Sequence, residues 1–277
     1  MVATDPSLPE AAAATPGRGR QAPLRASVVA PAILLAFGIA GWEIAVRVLD
    51  VSSRVLPAPS LVVRSSWGDR AALWPAASET TKEAVLGILM ATIVAVALAI
   101  AVDWSPRVRR AVYPLMVASQ TLPIIALAPL VVIWFGFGST PKVVLVALFT
   151  FFSIAVGLVQ GLAAADHDAM SLLRTMGASR VQLLLHVRLP GAVPQFFTGL
   201  RIAVTYAYVS AIVAEFVGAQ QGLGVYMTTS KNAFRTDLVF GAVVVTAVLT
   251  LLLFGVVALV ERVATPWRRP VEIDARW

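Results

Sequence analysis

Six long apolar stretches constrain the fold of this chain more than any other feature of its sequence. Each is about 20 residues or longer, the length that an α-helix needs to cross a hydrocarbon core of about 30 Å. They are continuously apolar and lack the alternation that a transmembrane β-barrel requires. The sequence therefore predicts an all-α polytopic transmembrane bundle of about six helices. The stretches are residues 27–49, 83–102, 111–136, 141–165, 193–217 and 238–260.

The composition agrees with a surface that is largely covered by lipid. Hydrophobic residues make up 58% of the chain and charged residues 13%, whereas a soluble domain of this length would carry far more surface charge. The net charge of +7 is spread between the apolar stretches, which favours anionic headgroups over nucleic acid as the basic residues' partners. The chain has no cysteine, which excludes disulfides, thiolate metal sites and cysteine nucleophiles.

The distribution of lysine and arginine predicts that both termini are cytoplasmic, because the segments on that side hold most of the basic residues. We expect residues 1–25 to be a disordered cytoplasmic tail and 263–277 a second tail. Residues 26–78 would supply the first helix and an outside interfacial segment, with Trp67 and Trp74 at the headgroups. Residues 79–262 would form the main transmembrane domain.

The third stretch contains three prolines, Pro114, Pro123 and Pro129, each of which removes a backbone donor. Such breaks survive in a membrane only where the freed carbonyls face protein or a wet cavity. Two interpretations remain open, a kinked packing helix and a helix that lines a solute pathway. In the second, Gln120 and Thr121 supply polar groups beside Pro123.

A polar loop at about 166–190 interrupts the apolar chain. We expect Gly177 to adopt a positive φ and end a first short helix, and Ser179 to cap a second. Pro190 and Pro194 are expected to break the chain before the fifth stretch. The pattern predicts a bent amphipathic element with Met176 available to a pocket on a partner, or alternatively an ordinary interfacial loop. Its two apolar faces are Leu172, Leu173 and Met176, and Val181, Leu184 and Leu185.

This loop resembles the cytoplasmic coupling loop of bacterial ABC-importer permeases, which reads E-A-A-x3-G-x9-I-x-L-P. The residues that match are Gly177, Ala178, Ser179, Val187, Leu189 and Pro190. Residues 56–60, 129–138, 194–203 and 214–227 also look like this family, so the resemblance covers most of 56–262. The chain is most similar to the nitrate, sulfonate, taurine and thiamine-pyrimidine-precursor group. It departs where the triplet falls on Ser171-Leu172-Leu173, which lacks the acid, and Asp168 is the candidate substitute.

The resemblance implies a type I ABC importer transmembrane-domain fold and a non-enzymatic permease subunit in a bacterial inner membrane. Its implied partners are a second permease copy in a homodimer, two ATPase subunits that hold ATP and Mg, and an extracytoplasmic solute-binding protein. The chain itself has no P-loop and no hydrolase motif, and no catalytic residue, metal or bound cofactor is expected. The implied ATPase-coupling residues are Ser171, Leu172, Leu173, Thr175, Met176, Gly177, Ala178, Ser179, Val187, Leu189 and Pro190.

One carboxylate, Glu215, lies well inside an apolar run, where an ionised group costs about 2.5–3.5 kcal/mol at mid-bilayer. It is either a gate or solute contact, grouped with Gln120, Thr121 and Pro123 in the pathway, or a paired residue near the outer edge. An ATPase-independent secondary transporter or channel is the alternative function. Such proteins typically use ionisable groups at mid-membrane, and this chain offers only Glu215.

Overall fold

A computed structural model describes residues 24–119 and 121–266. Helices account for the regular structure throughout these ranges, and no strand occurs within them. A single π turn, Leu184–Arg188, joins the eighth and ninth helices. The helices are α1 Leu24–Val48, α2 Pro59–Gly68, α3 Arg70–Trp104, α4 Pro106–Ser119, α5 Ile124–Phe135, α6 Ser139–Ala163, α7 His167–Thr175, α8 Arg180–Leu183, α9 Leu189–Phe216, α10 Leu223–Asn232 and α11 Thr236–Ala264.

Within the described ranges, five helices are long and apolar enough to cross a membrane: α1, α3, α6, the continuous α8–α9 segment and α11. The first, fourth, fifth and sixth predicted stretches fall on α1, α6, α9 and α11. The second was predicted too short, because α3 begins at Arg70 and runs for 35 residues. The helix continues through Lys82, where the stretch was predicted to end, and the nearby polar residues Thr80 and Glu83 are buried. These two residues therefore belong to an inward-facing surface of α3.

The third predicted stretch does not form a single spanning helix. It divides into α4 and α5, with a break over Thr121–Pro123, while Pro114 and Pro129 remain inside the two helices. Pro123 has no backbone N–H and disfavours a helical conformation at Leu122 before it. Of the three prolines, Pro123 therefore lies at a break between two helices, whereas Pro114 and Pro129 lie inside them.

The centre of the bundle is built from α3, α6 and α9. Helices α6 and α9 approach each other closely at a glycine. A Cβ on Gly157 would lie 2.6 Å from the carbonyl oxygen of Gln195. One turn further along α6, a Cβ on Gly161 would lie 2.8 Å from the Cα of Ala192. Small residues allow such contact between membrane helices, and the approach aligns α9 with α6 over several turns.

The peripheral helices α1 and α11 leave most of their apolar surface exposed. The end of α1 is attached to α2 through Glu43, whose carboxylate accepts hydrogen bonds from the Ser60 hydroxyl at 2.7 Å and the Ser60 amide at 3.0 Å. The predicted interfacial segment divides between α2, which carries Trp67, and the start of α3, which carries Trp74. Both indoles are exposed.

Candidate functional site

The loop between α6 and α9 contains two helices separated by a sharp turn at Gly177. That residue has φ +82°, as predicted, in the left-handed region that favours glycine. Its amide donates to the carbonyl of Arg174 at 3.0 Å, and the Ala178 amide donates to the carbonyl of Leu173 at 2.9 Å. These two bonds form a Schellman motif, so the end of α7 is defined by hydrogen bonds.

A capping box starts the second helix, which confirms the prediction for Ser179. Its hydroxyl accepts from the Gln182 amide at 3.3 Å, and the Gln182 side chain accepts from the Ser179 amide at 2.8 Å. The first helix has a cap of its own, because the Asp166 carboxylate accepts from the amides of Asp168 and Ala169. Both helices of the loop are thus fixed at their N-termini by local side chains.

Four large apolar side chains of the loop are exposed in the isolated chain. Leu172 is 62% exposed, Met176 74%, Val181 47% and Leu185 54%. Leu184 was predicted on the same face as Val181 but is buried, and it packs with apolar residues of α3, α6 and α9. Contiguous exposed apolar residues mark interaction surfaces, so the loop presents an uncovered apolar face while Leu184 anchors it to the bundle.

The predicted chain breaks at Pro190 and Pro194 are wrong, since the helix runs unbroken from Arg180 to Phe216. It widens into the π turn, where the Leu189 amide donates to the carbonyl of Leu184. Pro190 then occupies the first turn of α9, where a missing N–H is tolerated. The loop is therefore coupled rigidly to a central helix of the bundle.

An ion pair adds a second attachment. Arg188, in the π turn, donates from Nη1 to Oδ1 of Asp103 at 2.5 Å, and from Nε to the sulfur of Met170 at 3.3 Å. Asp103 lies near the end of α3 and Met170 lies in α7. This single guanidinium links three elements, so a displacement of the loop would be transmitted to α3 as well as α9.

The remaining predicted coupling residues lie on the same element. Ser171 contacts His167 across one turn of α7 at 3.4 Å, and the Thr175 hydroxyl donates to the carbonyl of Leu172 at 2.6 Å. Val187 is half-buried in the π turn, and Asp168 is exposed in the first turn of α7. The structure thus brings the whole predicted set together between Asp168 and Pro190.

At the other end of the bundle lies a buried polar cluster, which we define as Thr80, Glu83, Lys142 and Glu215. The Glu83 carboxylate forms an ion pair with the ammonium of Lys142, and their side chains are 1% and 6% exposed. The Thr80 hydroxyl donates to Glu215 at 2.6 Å. The cluster as defined holds one ammonium, that of Lys142, and the two carboxyl groups of Glu83 and Glu215.

The polar cluster also holds the start of α10. The Leu223 amide donates to the Thr80 hydroxyl at 2.8 Å, and the Gly224 amide donates to the Glu215 carboxylate at 2.5 Å. A carboxylate at a helix N-terminus satisfies free amides and interacts favourably with the helix dipole. Glu215 is thus hydrogen-bonded to α3 and α10, while its two alternative roles, a gate or solute contact and a paired residue near the outer edge, stay predictions. Glu83 and Lys142 were not predicted as site residues, although each lies at the start of an apolar stretch.

The predicted pathway residues are less closely grouped. Thr121 and Pro123 are exposed in the α4–α5 break, and the Thr121 hydroxyl donates to the carbonyl of Ala118 at 2.8 Å. Gln120 lies outside the described residues. The bonds of Glu215 go to α3 and α10 and do not join it to this break.

Comparisons with known proteins agree with one another. The family described as "Binding-protein-dependent transport system inner membrane component" matches residues 84–265. The formylaminopyrimidine transport permease ThiX of Halalkalibacterium halodurans is 36% identical over 229 residues, or 82% of this chain and 91% of that protein. The taurine transport permease TauC of Escherichia coli is 32% identical, over 73% of this chain and 74% of its own. The putative aliphatic sulfonates permease SsuC of the same organism is 31% identical, over 86% and 92%.

Solved structures show a similar fold. A chain of the MetNI methionine ABC transporter, in an inward-facing conformation, superimposes with a TM-score of 0.58 at 19% identity. The match covers 76% of this chain and 99% of that one. A chain of an amino acid ABC transporter has a TM-score of 0.56 at 14% identity, over 74% and 97% of the two chains.

Proposed function

This chain belongs to the family of inner membrane components of binding-protein-dependent transport systems and is an ABC importer permease subunit with a type I fold, and we propose that it carries a small organic or oxyanion solute across a bacterial inner membrane. The names of its relatives include a formylaminopyrimidine, taurine and aliphatic sulfonates. We infer a solute of the sulfonate, taurine, nitrate or thiamine-pyrimidine-precursor type.

The observation that carries the proposal is the geometry of the loop. It exposes Leu172, Met176, Val181 and Leu185 on two capped helices, and the Arg188–Asp103 pair attaches it to the bundle. An ATPase subunit that packs against this apolar face would move the bundle through the π turn. We propose two such subunits, which hold ATP and Mg, below a homodimer of this chain. Nucleotide would then bias an alternating-access equilibrium between two global states.

The acidic residue of the family triplet is replaced by Ser171. We propose that apolar packing carries the contact with the ATPase, because Leu172 and Met176 are the most exposed apolar side chains of the loop. A fully buried side chain of this size contributes about 1.5–3 kcal/mol, so a few such contacts support an interface without an ion pair. Asp168 remains the candidate for a supplementary ion pair.

The solute pathway is proposed at the interface between two copies, with Gln120, Thr121 and Pro123 along it. The binding protein would dock at the end of the bundle that carries α2 and α10, and both termini would lie on the opposite, cytoplasmic side. Glu215 would act at the outer end by holding α10. An ATPase-independent transporter is not favoured, because this chain matches the family of binding-protein-dependent transport system inner membrane components and Glu215 is already bonded to Thr80 and Gly224.

The first test is recovery of the chain from its native membrane in mild detergent, with its partners identified by mass spectrometry. An ATPase and a binding protein are expected in the recovered complex, and the purified binding protein would then be screened against taurine, alkanesulfonates, nitrate and formylaminopyrimidine. Recovery of the chain alone, including after cross-linking from a cysteine introduced at Ala178, would contradict the importer.

The second test is Gly177→Asp, which strains a positive-φ position and adds a charge to the loop. It should abolish ATPase co-purification and solute uptake while membrane insertion is retained. Gly136→Asp is the matched control, because Gly136 also has a positive φ (+77°) and open space around its Cα but lies at the opposite end of the bundle. It should retain the ATPase. Equal co-purification of both variants would refute the assignment of the loop.

A further inference from the structure

A cavity lined by arginines lies beside the loop, next to the end of α3. It has a volume of about 260 Å³. Arg174 of α7, Arg180 of α8 and Arg188 of the π turn line it together with Asp103 and Trp104 of α3. We call this space the arginine cavity. A second cavity of about 320 Å³ adjoins it and shares Asp103 and Arg188.

The positive charge of the arginine cavity is only partly neutralised. Arg188 forms an ion pair with Asp103 at 2.5 Å, whereas the guanidinium groups of Arg174 and Arg180 have no hydrogen bond or ion pair with any residue of the described ranges. Three guanidinium groups face a single carboxylate, which leaves a formal excess of two positive charges. Guanidinium groups present planar pairs of N–H donors that match the oxygens of a phosphate.

The cavity lies at the end of the membrane-spanning helix α3. Trp104, the last residue of the spanning helix α3, is 53% exposed and lines the cavity. Tryptophan is enriched where membrane helices meet the headgroups, and basic pockets between transmembrane helices on the cytoplasmic side hold anionic headgroups. The location therefore suits a phosphate group.

We propose that the arginine cavity binds a phosphate group, carried by an anionic phospholipid of the adjacent leaflet or present as free phosphate. Arg174 and Arg180 lie on opposite sides of the Gly177 turn, and Arg188 lies in the π turn. A phosphate that contacts all three would bridge the two loop helices and fix the angle between them. The lining of the cavity includes neither Leu172 nor Met176, and none of the predicted pathway residues that the structure describes.

The test is titration of the purified full-length chain, in neutral detergent, with phosphatidylglycerol and separately with phosphatidylcholine of the same acyl chains, followed by native mass spectrometry. The wild type is expected to bind one phosphatidylglycerol about tenfold more tightly than phosphatidylcholine. Arg174→Gln/Arg180→Gln should lose about tenfold in phosphatidylglycerol affinity, because two charge-assisted contacts are removed. Arg174→Lys/Arg180→Lys keeps the charge and should lose less.

The control is Arg107→Gln/Arg262→Gln, which removes the same charge from the same end of the molecule, outside the cavity, and should leave the affinity unchanged. Helical circular dichroism and the melting temperature without lipid verify that each variant is folded. Equal loss in the control and the cavity variant would overturn the proposal, since it would indicate attraction by net charge alone. Equal binding of both lipids, with no effect of inorganic phosphate, would also overturn it.

Inorganic phosphate distinguishes the two sources of the group. If free phosphate is the ligand, it should raise the melting temperature of the lipid-free wild type and of the control, but not of Arg174→Gln/Arg180→Gln. If the headgroup is the ligand, phosphatidylglycerol binds selectively while inorganic phosphate leaves the melting temperature unchanged. Either result supports a phosphate site in this cavity.

Discussion

The loop and the buried polar cluster both depart from the usual placement of side chains, one by exposing apolar groups and the other by burying charged ones. The loop exposes Leu172 and Met176 in a polar segment, whereas the cluster buries Glu83, Lys142 and Glu215 within a membrane bundle. An exposed apolar face remains available to a partner, but a buried charge requires compensation within the chain itself. The first region is therefore suited to contacts that form and break, and the second to contacts that hold helices together.

Removal of Lys142, the one cation of the polar cluster, should have the largest effect on stability and tests the buried region of this comparison. Lys142→Met leaves two carboxyl groups without an ammonium, and breaking a buried pair typically costs about 3–5 kcal/mol. We expect a loss of this size in unfolding free energy, measured by denaturant titration in mixed micelles. Lys142→Met/Glu83→Gln should recover part of the loss. A Lys142→Met variant as stable as the wild type would show that the pair is solvated.

Removal of the Thr80 hydroxyl, which connects the polar cluster to α10, should have the next largest effect on stability. Thr80→Val keeps the shape of the side chain but removes the donor to Glu215 and the acceptor for the Leu223 amide. Unsatisfied buried groups cost about 1–3 kcal/mol, so stability should fall by that amount. Thr92→Val is the matched control on the same helix, because the Thr92 hydroxyl bonds only to the carbonyl of Ile88. Equal effects of both changes would contradict the role of Thr80.

The loop should respond to a lost cap locally and more weakly. Ser179→Ala removes the acceptor for the Gln182 amide, which costs about 1 kcal/mol at a helix N-terminus. Faster amide hydrogen exchange is expected at residues 180–183, with unchanged exchange in α6. Ser78→Ala, which removes an exposed hydroxyl bonded within its own turn, serves as the control. Slowed or unchanged exchange in the loop would mean that tertiary contacts, and not the capping box, hold α8.

The same contrast explains what the sequence analysis could predict. Gly177 and Ser179 act within a few residues of themselves, so turn and capping rules identified both positions. Continuous apolar stretches likewise located four of the spans. The start of α3 was missed because the polar residues up to Lys82 resemble the end of a span in sequence. Only the partners of Thr80 and Glu83 on α6, α9 and α10 show that these two side chains face inward. Local rules for proline also do not tell which of Pro114, Pro123 and Pro129 separates two helices, and they do not predict the π turn before Pro190.

Substitution of an exposed apolar residue of the loop should have the smallest effect on stability but a large effect on association with the ATPase. This difference separates the loop most clearly from the buried cluster. Met176→Ser removes a side chain that is 74% exposed, so the unfolding free energy should change by less than about 0.5 kcal/mol. If the ATPase buries Met176, its loss should weaken co-purification about tenfold, because burial of a methionine contributes about 1.5–3 kcal/mol.

Val55→Ser is the control for that prediction, since Val55 is similarly exposed but lies in the segment before α2, at the other end of the bundle. It should retain the ATPase. Repeating the co-purification at high salt adds a second discrimination, because screening weakens ion pairs between exposed charges and leaves apolar contacts intact. A complex that salt dissociates, and that tolerates Met176→Ser, would mean that charges such as Asp168 carry the contact and that the exposed apolar face serves another partner.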